Sequence, residues 1–206
     1  MEKISKSQNK ESKTEVIATG GQFQVELIKY IGENDYDSLI EISESLVEDY
    51  GQASKLTEAT INTYFNKTGS FPFIARHHNE IIGYIIGIPL EELKMEPWAR
   101  LDANFGLKNT IYTYAFVIEK KYKRNGYAKM LKKVFLNWIK KQENIFYVTG
   151  HVRNGISKNF SGKIKVLDKI NNWNKTGLIF EYYRRDLDPD KVYNHNSKIN
   201  HFNNHS

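Results

Sequence analysis

The chain has 206 residues, 40% of them hydrophobic and 13% aromatic, with a formal charge of +6 and no cysteine. That length buries one ordinary core and is short for two; the lack of cysteine excludes disulfides, thiolate metal sites and a cysteine nucleophile, and fits a reducing, cytoplasmic setting. The positive balance favours anionic partners without choosing among nucleotide cofactors, nucleic acid and membrane surfaces, and lysine-rich faces are more often solvated surface than binding site.

Residues 1–21 are rich in lysine and serine, lack the apolar stretch of a secretory signal, and read as a disordered tail. From Gln22 to Ile31 a first strand is expected, because Phe23, Val25 and Leu27 alternate with Gln22, Gln24 and Glu26. A helix follows, capped by Asp37 or Ser38, with Leu39, Ile40, Ile42, Leu46 and Val47 as its apolar stripe up to Gly51. Leu56 to Asn66 reads as a second helix with Thr57 as its cap. Phe71–Arg76 and Ile81–Ile88 read as strands joined by the polar turn His77–Glu80. The apolar run from Ile81 to Leu90 contains two glycines and a proline, so it suits a buried strand and no membrane span is expected.

Glu91 to Asn109, with Pro97, Trp98, Asp102 and Gly106, has no period and reads as an ordered loop or short helix. Thr110–Ile118 is β-branched and aromatic, the composition of a central strand. After a basic turn, Tyr127, Met130, Leu131, Val134, Phe135, Trp138 and Ile139 recur at three and four residues, with lysines opposite, so that stripe faces the core. A short strand at Ile145–Val148, a weak helical segment over Gly155–Gly162 and a final pair of strands, Ile164–Trp173 and Leu178–Arg184, complete the order. Residues 188–206, rich in Asn and His, read as a flexible tail and not as a metal site, leaving one domain over 22–187.

The chemistry-bearing segment is Lys123-Arg124-Asn125-Gly126-Tyr127-Ala128, where a buried strand passes into the amphipathic helix. Unpaired backbone NH groups and the positive end of the helix dipole make such a junction an anion site, and glycine lets a phosphate approach the backbone closely. Two better-known phosphate motifs fail. A dinucleotide fingerprint needs three glycines where Gly126 stands alone, and between Gly155 and Lys163 the glycines are too far apart for a P-loop, with Ile164 where Ser or Thr must hold magnesium.

This segment, with Tyr122 before it, resembles the Gln/Arg-x-x-Gly-x-Gly/Ala signature of the GNAT superfamily of N-acetyltransferases, with Lys123 at the first position. Asn79-Glu80-Ile81-Ile82-Gly83-Tyr84 is similar to the family's second hairpin, and Asn154 matches its Asn-x-x-Ala-x-x-x-Tyr segment, with Ser157 at the alanine position. The resemblance implies an α/β (α+β) fold, a mixed, mostly antiparallel sheet of about seven strands flanked by about four helices, splayed between strands four and five. It implies acetyl-CoA as co-substrate, bound by Lys123 to Ala128, by NH groups near Val117 and Ile118 and by Asn154, with no metal. Transfer goes to a primary amine of a small molecule or peptide by direct attack. Ser161 stands where many members carry the tyrosine that protonates the leaving thiolate, so Ser161, a tyrosine from elsewhere or no residue serves as acid. Tyr112 and Tyr114 are offered as base, and a water chain is an equal candidate. A silent acyl-CoA sensor is the alternative. Nucleic acid is not expected, because the aromatic residues of the basic helix point inward. The oligomeric state stays open, a homodimer included.

Overall fold

The computed structural model describes residues 10–188. Its α-helices are α1 (Tyr36–Tyr50), α2 (Glu58–Phe65), α3 (Pro97–Arg100) and α4 (Tyr127–Lys140). Its strands are β1 (Lys13–Gly20), β2 (Phe23–Tyr30), β3 (Phe71–His77), β4 (Glu80–Pro89), β5 (Thr110–Ile118), β6 (Tyr147–Arg153), β7 (Ile164–Ile170) and β8 (Phe180–Asp186). The strands follow one another across the sheet as β1-β2-β3-β4-β5-β6-β8-β7. β1/β2, β2/β3, β3/β4, β6/β8 and β7/β8 are antiparallel, and β5/β6 is parallel. The fold is therefore the mixed α/β one expected, with eight strands in place of seven.

The extra strand is β1, whose residues fall inside the segment expected to be a disordered tail. Nearly all its side chains are exposed, so it is held by its ladder to β2 and carries no buried alternation to betray it. Its entry is tied down: Ser12 Oγ donates to Asp35 Oδ2 at 2.6 Å and accepts from the Gly32 NH at 2.9 Å. The tail after Asp188 lies outside the described residues.

By its internal contacts the chain forms two compact units. One runs up to Ile88 and adds Thr113–Phe135 and Trp173–Gly177; the other comprises Pro89–Tyr112, Leu136–Asn172 and the chain from Leu178. In the first unit the core gathers Leu39 from α1, Ile61 from α2, Phe73 and Ile74 from β3, Ile82 and Ile85 from β4 and Phe135 from α4. The β3–β4 hairpin turns on His78 and Asn79, with φ of 50° and 68°, the left-handed pair whose twist suits a two-residue hairpin. Thr57 and Thr60 cap α2 reciprocally. α1 starts before the expected caps: Asp35 occupies the cap position, and its carboxylate accepts from Ser12 and, at 3.4 Å, from Arg76 in place of capping. In α4, Leu131, Phe135 and Ile139 are fully buried at four-residue spacing, whereas Met130, expected in the stripe, is 40% exposed.

In the second unit, the segment without a period resolves into a 3-10 turn at Leu90–Leu93 and α3. β5 starts beside β6, pairing Thr110 with Tyr147, Ile111 with Val148 and Tyr112 with Thr149. β6 begins later than expected because the Phe146 and Tyr147 NH groups both go to the Asn109 carbonyl before the ladder opens. Leu90, Val148, Phe180 and Tyr183 form its core.

Candidate active site

The C-terminal part of β5 leads straight into the candidate site of the first unit. The Glu119 NH donates to the Ile82 carbonyl at 2.8 Å, fixing the end of β5 on β4. Gly83 makes that approach feasible, since a Cβ there would overlap the Val117 carbonyl oxygen and the Ile118 side chain. One 3-10 turn, Lys120–Tyr122, then carries the chain to Lys123.

Arg124 and Gly126 both have positive φ, 70° and 79°, on either side of Asn125. A backbone of alternating hand turns successive NH groups to one side and makes an anion-binding concavity. The Met130 NH closes the first helical bond on the Gly126 carbonyl at 3.0 Å, so the NH groups of the first turn of α4 lie at the same place without helical acceptors. A Cβ on Gly126 would meet no protein atom within 4 Å: the glycine answers the φ and leaves the concavity clear. Holding Arg124, a residue with a Cβ, in the left-handed region is unfavourable.

These residues border a cleft of about 290 Å³ lined by Val117 and Ile118 of β5, by Lys123, Arg124, Gly126, Tyr127 and Ala128, and across from them by Leu46, Asp49 and Tyr50 of α1. Asn125 turns aside, its Nδ2 donating to the Tyr122 carbonyl at 3.4 Å. The four cations of the turn divide into two kinds. Lys120 is paired with Glu48 at 2.9 Å, and Lys121 with Glu119 at 3.1 Å; the Glu48 hydrogen bond raises the Lys120 pKa, and the Glu119 bond that of Lys121. Lys123 and Arg124 line the cleft and have no carboxylate partner among the described residues. Tyr127 is bolted at the helix start by Phe23, stacked at 4.6 Å, and by His77 at 5.4 Å, which gives His77 a packing role. Tyr114 stacks on Tyr64 of α2 at 3.9 Å.

The remaining sequence-derived residues lie in the second unit. The Tyr112 hydroxyl, buried, is 2.9 Å from His151 Nδ1. His151 stacks on Tyr182 at 4.8 Å and takes the edge of Trp98 at 4.6 Å, while Tyr182 donates to Asp102 Oδ2 at 2.7 Å. Burial lowers the His151 pKa to about 3 and raises that of the Tyr182 phenol, to which the Asp102 hydrogen bond adds. The neutral imidazole and the Tyr112 phenol share that hydrogen bond, which fixes the phenol's orientation. Sequence reasoning missed this cluster, since His151 and Tyr182 carried no spacing that linked them to Trp98 or Asp102.

The Asn154 NH is used by the Ile179 carbonyl at 2.9 Å. Ser157, at the family's alanine position, is buried and donates to Glu181 at 2.6 Å. The Ser161 side chain is exposed, and its carbonyl accepts from Arg185.

The fold is that of an acetyltransferase domain. The model of the acetyltransferase (GNAT) family matches residues 39–161, more than half of the chain, and the chain belongs to that family. Among solved structures it is similar to the ribosomal-protein-alanine N-acetyltransferase of Brucella melitensis, at 10% identity over 74% of this chain and 94% of that one, with a TM-score of 0.55. It is similar also to yncA of Salmonella typhimurium, solved with its cofactor acetyl-CoA, at 9% identity over 82% and 95% of the two chains and a TM-score of 0.59. NAA60 of Arabidopsis thaliana, solved with a bisubstrate analogue, gives 15% identity over 74% and 91%, with a TM-score of 0.54. At such identities the likeness is one of fold. No curated protein matches the sequence. No helix of the described residues is long and apolar enough to cross a membrane.

Proposed function

We propose that the protein transfers an acetyl group from acetyl-CoA to a primary amine by direct attack. The observation that carries this reading is the concavity at Arg124–Gly126, opening on the start of α4 beside two cations that have no carboxylate partner among the described residues. The pyrophosphate is received by the NH groups of that loop, with Lys123 and Arg124 as counter-charges and Tyr127 and Ala128 as the wall. Because the Glu119 NH is turned to β4, strand alternation turns the Ile118 NH the other way, and it serves as donor to the thioester carbonyl ahead of Val117.

The amine attacks in its neutral form. Its nitrogen bonds to the carbonyl carbon, the carbon–sulfur bond breaks, and the thiolate departs as a far weaker base than the amine. Of the three proton-transfer candidates, Tyr114 is preferred. It lies two residues before Phe116, which borders the cleft, whereas the Tyr112 hydroxyl is engaged by His151 and the Ser161 side chain is exposed. Tyr114 relays, through water, the proton that the ammonium gives up before the neutral amine attacks. The acceptor is an amine of a peptide or small molecule, and the fold relative that acts on a ribosomal-protein alanine supports the peptide class. The reaction needs no metal and is placed in the cytoplasm.

Calorimetry with acetyl-CoA and thiol release against a panel of peptide and small amines test this. Binding is expected, with release accelerated by at least one amine and lowered about 100-fold or more in Tyr114→Phe at unchanged acetyl-CoA affinity. Folded protein free of CoA that takes up no acetyl-CoA refutes the reading, and binding without amine-dependent release leaves the sensor.

A further inference from the structure

The second unit contains a buried cation that the acetyltransferase reading does not use. Arg185 of β8 is 8% exposed and forms no ion pair among the described residues. Its Nη1 donates to the Ser161 carbonyl, its Nε is buried without a hydrogen-bond partner, and its guanidinium lies 5.7 Å from the Phe160 ring centre. A carboxylate would ordinarily accompany an arginine so placed, because a desolvated charge is unfavourable unless paired. Burial accordingly pulls its pKa below the ordinary arginine value.

Arg185 borders a cavity of about 210 Å³ whose other polar walls are Asn137 and Lys140 of α4, Ser161, Lys163 and Asp186. Both lysines are partly neutralised, Lys163 by Asp186 at 3.1 Å and Lys140 by Asp188 at 3.2 Å. Three cations against two carboxylates leave one positive charge, and that charge is the buried one. Gly162, at φ 86°, lies where a Cβ would come 3.2 Å from Arg185 Nη1, so the loop is drawn in against the guanidinium.

We propose that this cavity is a binding site for a small oxyanion of phosphate size, with Arg185 as its principal ligand and the Asn137 amide and the two lysines around it. The volume accommodates one phosphate group. The oxyanion supplies the counter-charge that Arg185 lacks, and its lining shares no residue with the first unit's cleft.

The test is a titration of the full chain with inorganic phosphate, and in parallel with glycerol 2-phosphate, at constant ionic strength. It is followed on the Arg Nε–H resonance that disappears in Arg185→Lys. A saturable shift of that resonance is expected, with a rise of about 2–4 °C in the unfolding midpoint, and whichever ion moves it further identifies free phosphate or a phosphoryl ester as the source. Asn137→Asp, at an exposed position, places a carboxylate in the cavity and is expected to raise the midpoint by itself and to abolish the phosphate shift. A resonance unmoved by both ions, or moved equally in Asn137→Asp, overturns the proposal.

Discussion

The cleft of the first unit and the aromatic cluster of the second show two ways of making a polar site. The cleft is a main-chain construction: its donors are NH groups, its shape comes from two left-handed residues, and its cations stand in solvent. The cluster is a side-chain construction, with Trp98, Asp102, Tyr112, His151 and Tyr182 arriving from four separate segments and all but Trp98 more than nine-tenths buried. The first tolerates change in stability and not in binding; the second reverses that.

The largest effect that separates them is expected from Gly126→Glu. A carboxylate set in the anion concavity should weaken acetyl-CoA binding more than 100-fold, about 3 kcal/mol, while the left-handed φ costs about 1–2 kcal/mol of stability. Calorimetry and thermal unfolding of the same sample read both, and unaltered affinity would remove the cleft as the cofactor's place.

The cluster should respond to pH in turn. The unfolded His151 imidazole takes up a proton as pH falls through about 6.5, whereas the folded one stays neutral down to about 3. The unfolded state therefore binds more protons in that window, and the stability held above pH 6.5 is lost as pH falls. His151 alone contributes a loss of about 2 kcal/mol between pH 6.5 and 5. Denaturant unfolding of the parent and of His151→Gln checks this, and an identical slope in both would show that the buried imidazole is not responsible.

Tyr182→Phe sharpens the contrast least but most specifically. It leaves Asp102 Oδ2 without the phenol's donor while Asp102 Oδ1 keeps the Asn104 NH at 2.8 Å, so a loss of about 1–2 kcal/mol is expected with acetyl-CoA affinity unchanged. A fall in affinity to match would mean that the two regions are not separable.

The same contrast explains what the sequence discloses. Lys123 to Ala128 is contiguous, so a turn through glycine into the start of α4 was readable there from six letters. Thr57 as a cap, the His77–Glu80 hairpin and the bounds of β5 were readable because each is set by neighbours in the chain. The cluster was not, because no spacing in the text links His151 to Trp98 or Asp102. Arg185 lies one residue past the strand expected at Leu178–Arg184, and its lack of a carboxylate partner among the described residues shows only once β8 is placed. Met130 fitted the helical period but lies at the margin of the buried stripe, where period alone does not decide exposure.

β1 has a consequence for how the protein behaves toward copies of itself. Without it, β2, with Val25, Leu27 and Ile28 buried, would end the sheet and offer a row of unpaired backbone groups to any other chain. β1 covers that row and is a poor template in its turn: its register slips at Lys13/Thr14 and again at Val16/Ala18, and Lys13 and Glu15 charge its length. A segment that looks dispensable in the sequence thus works as a guard strand against edge-to-edge aggregation.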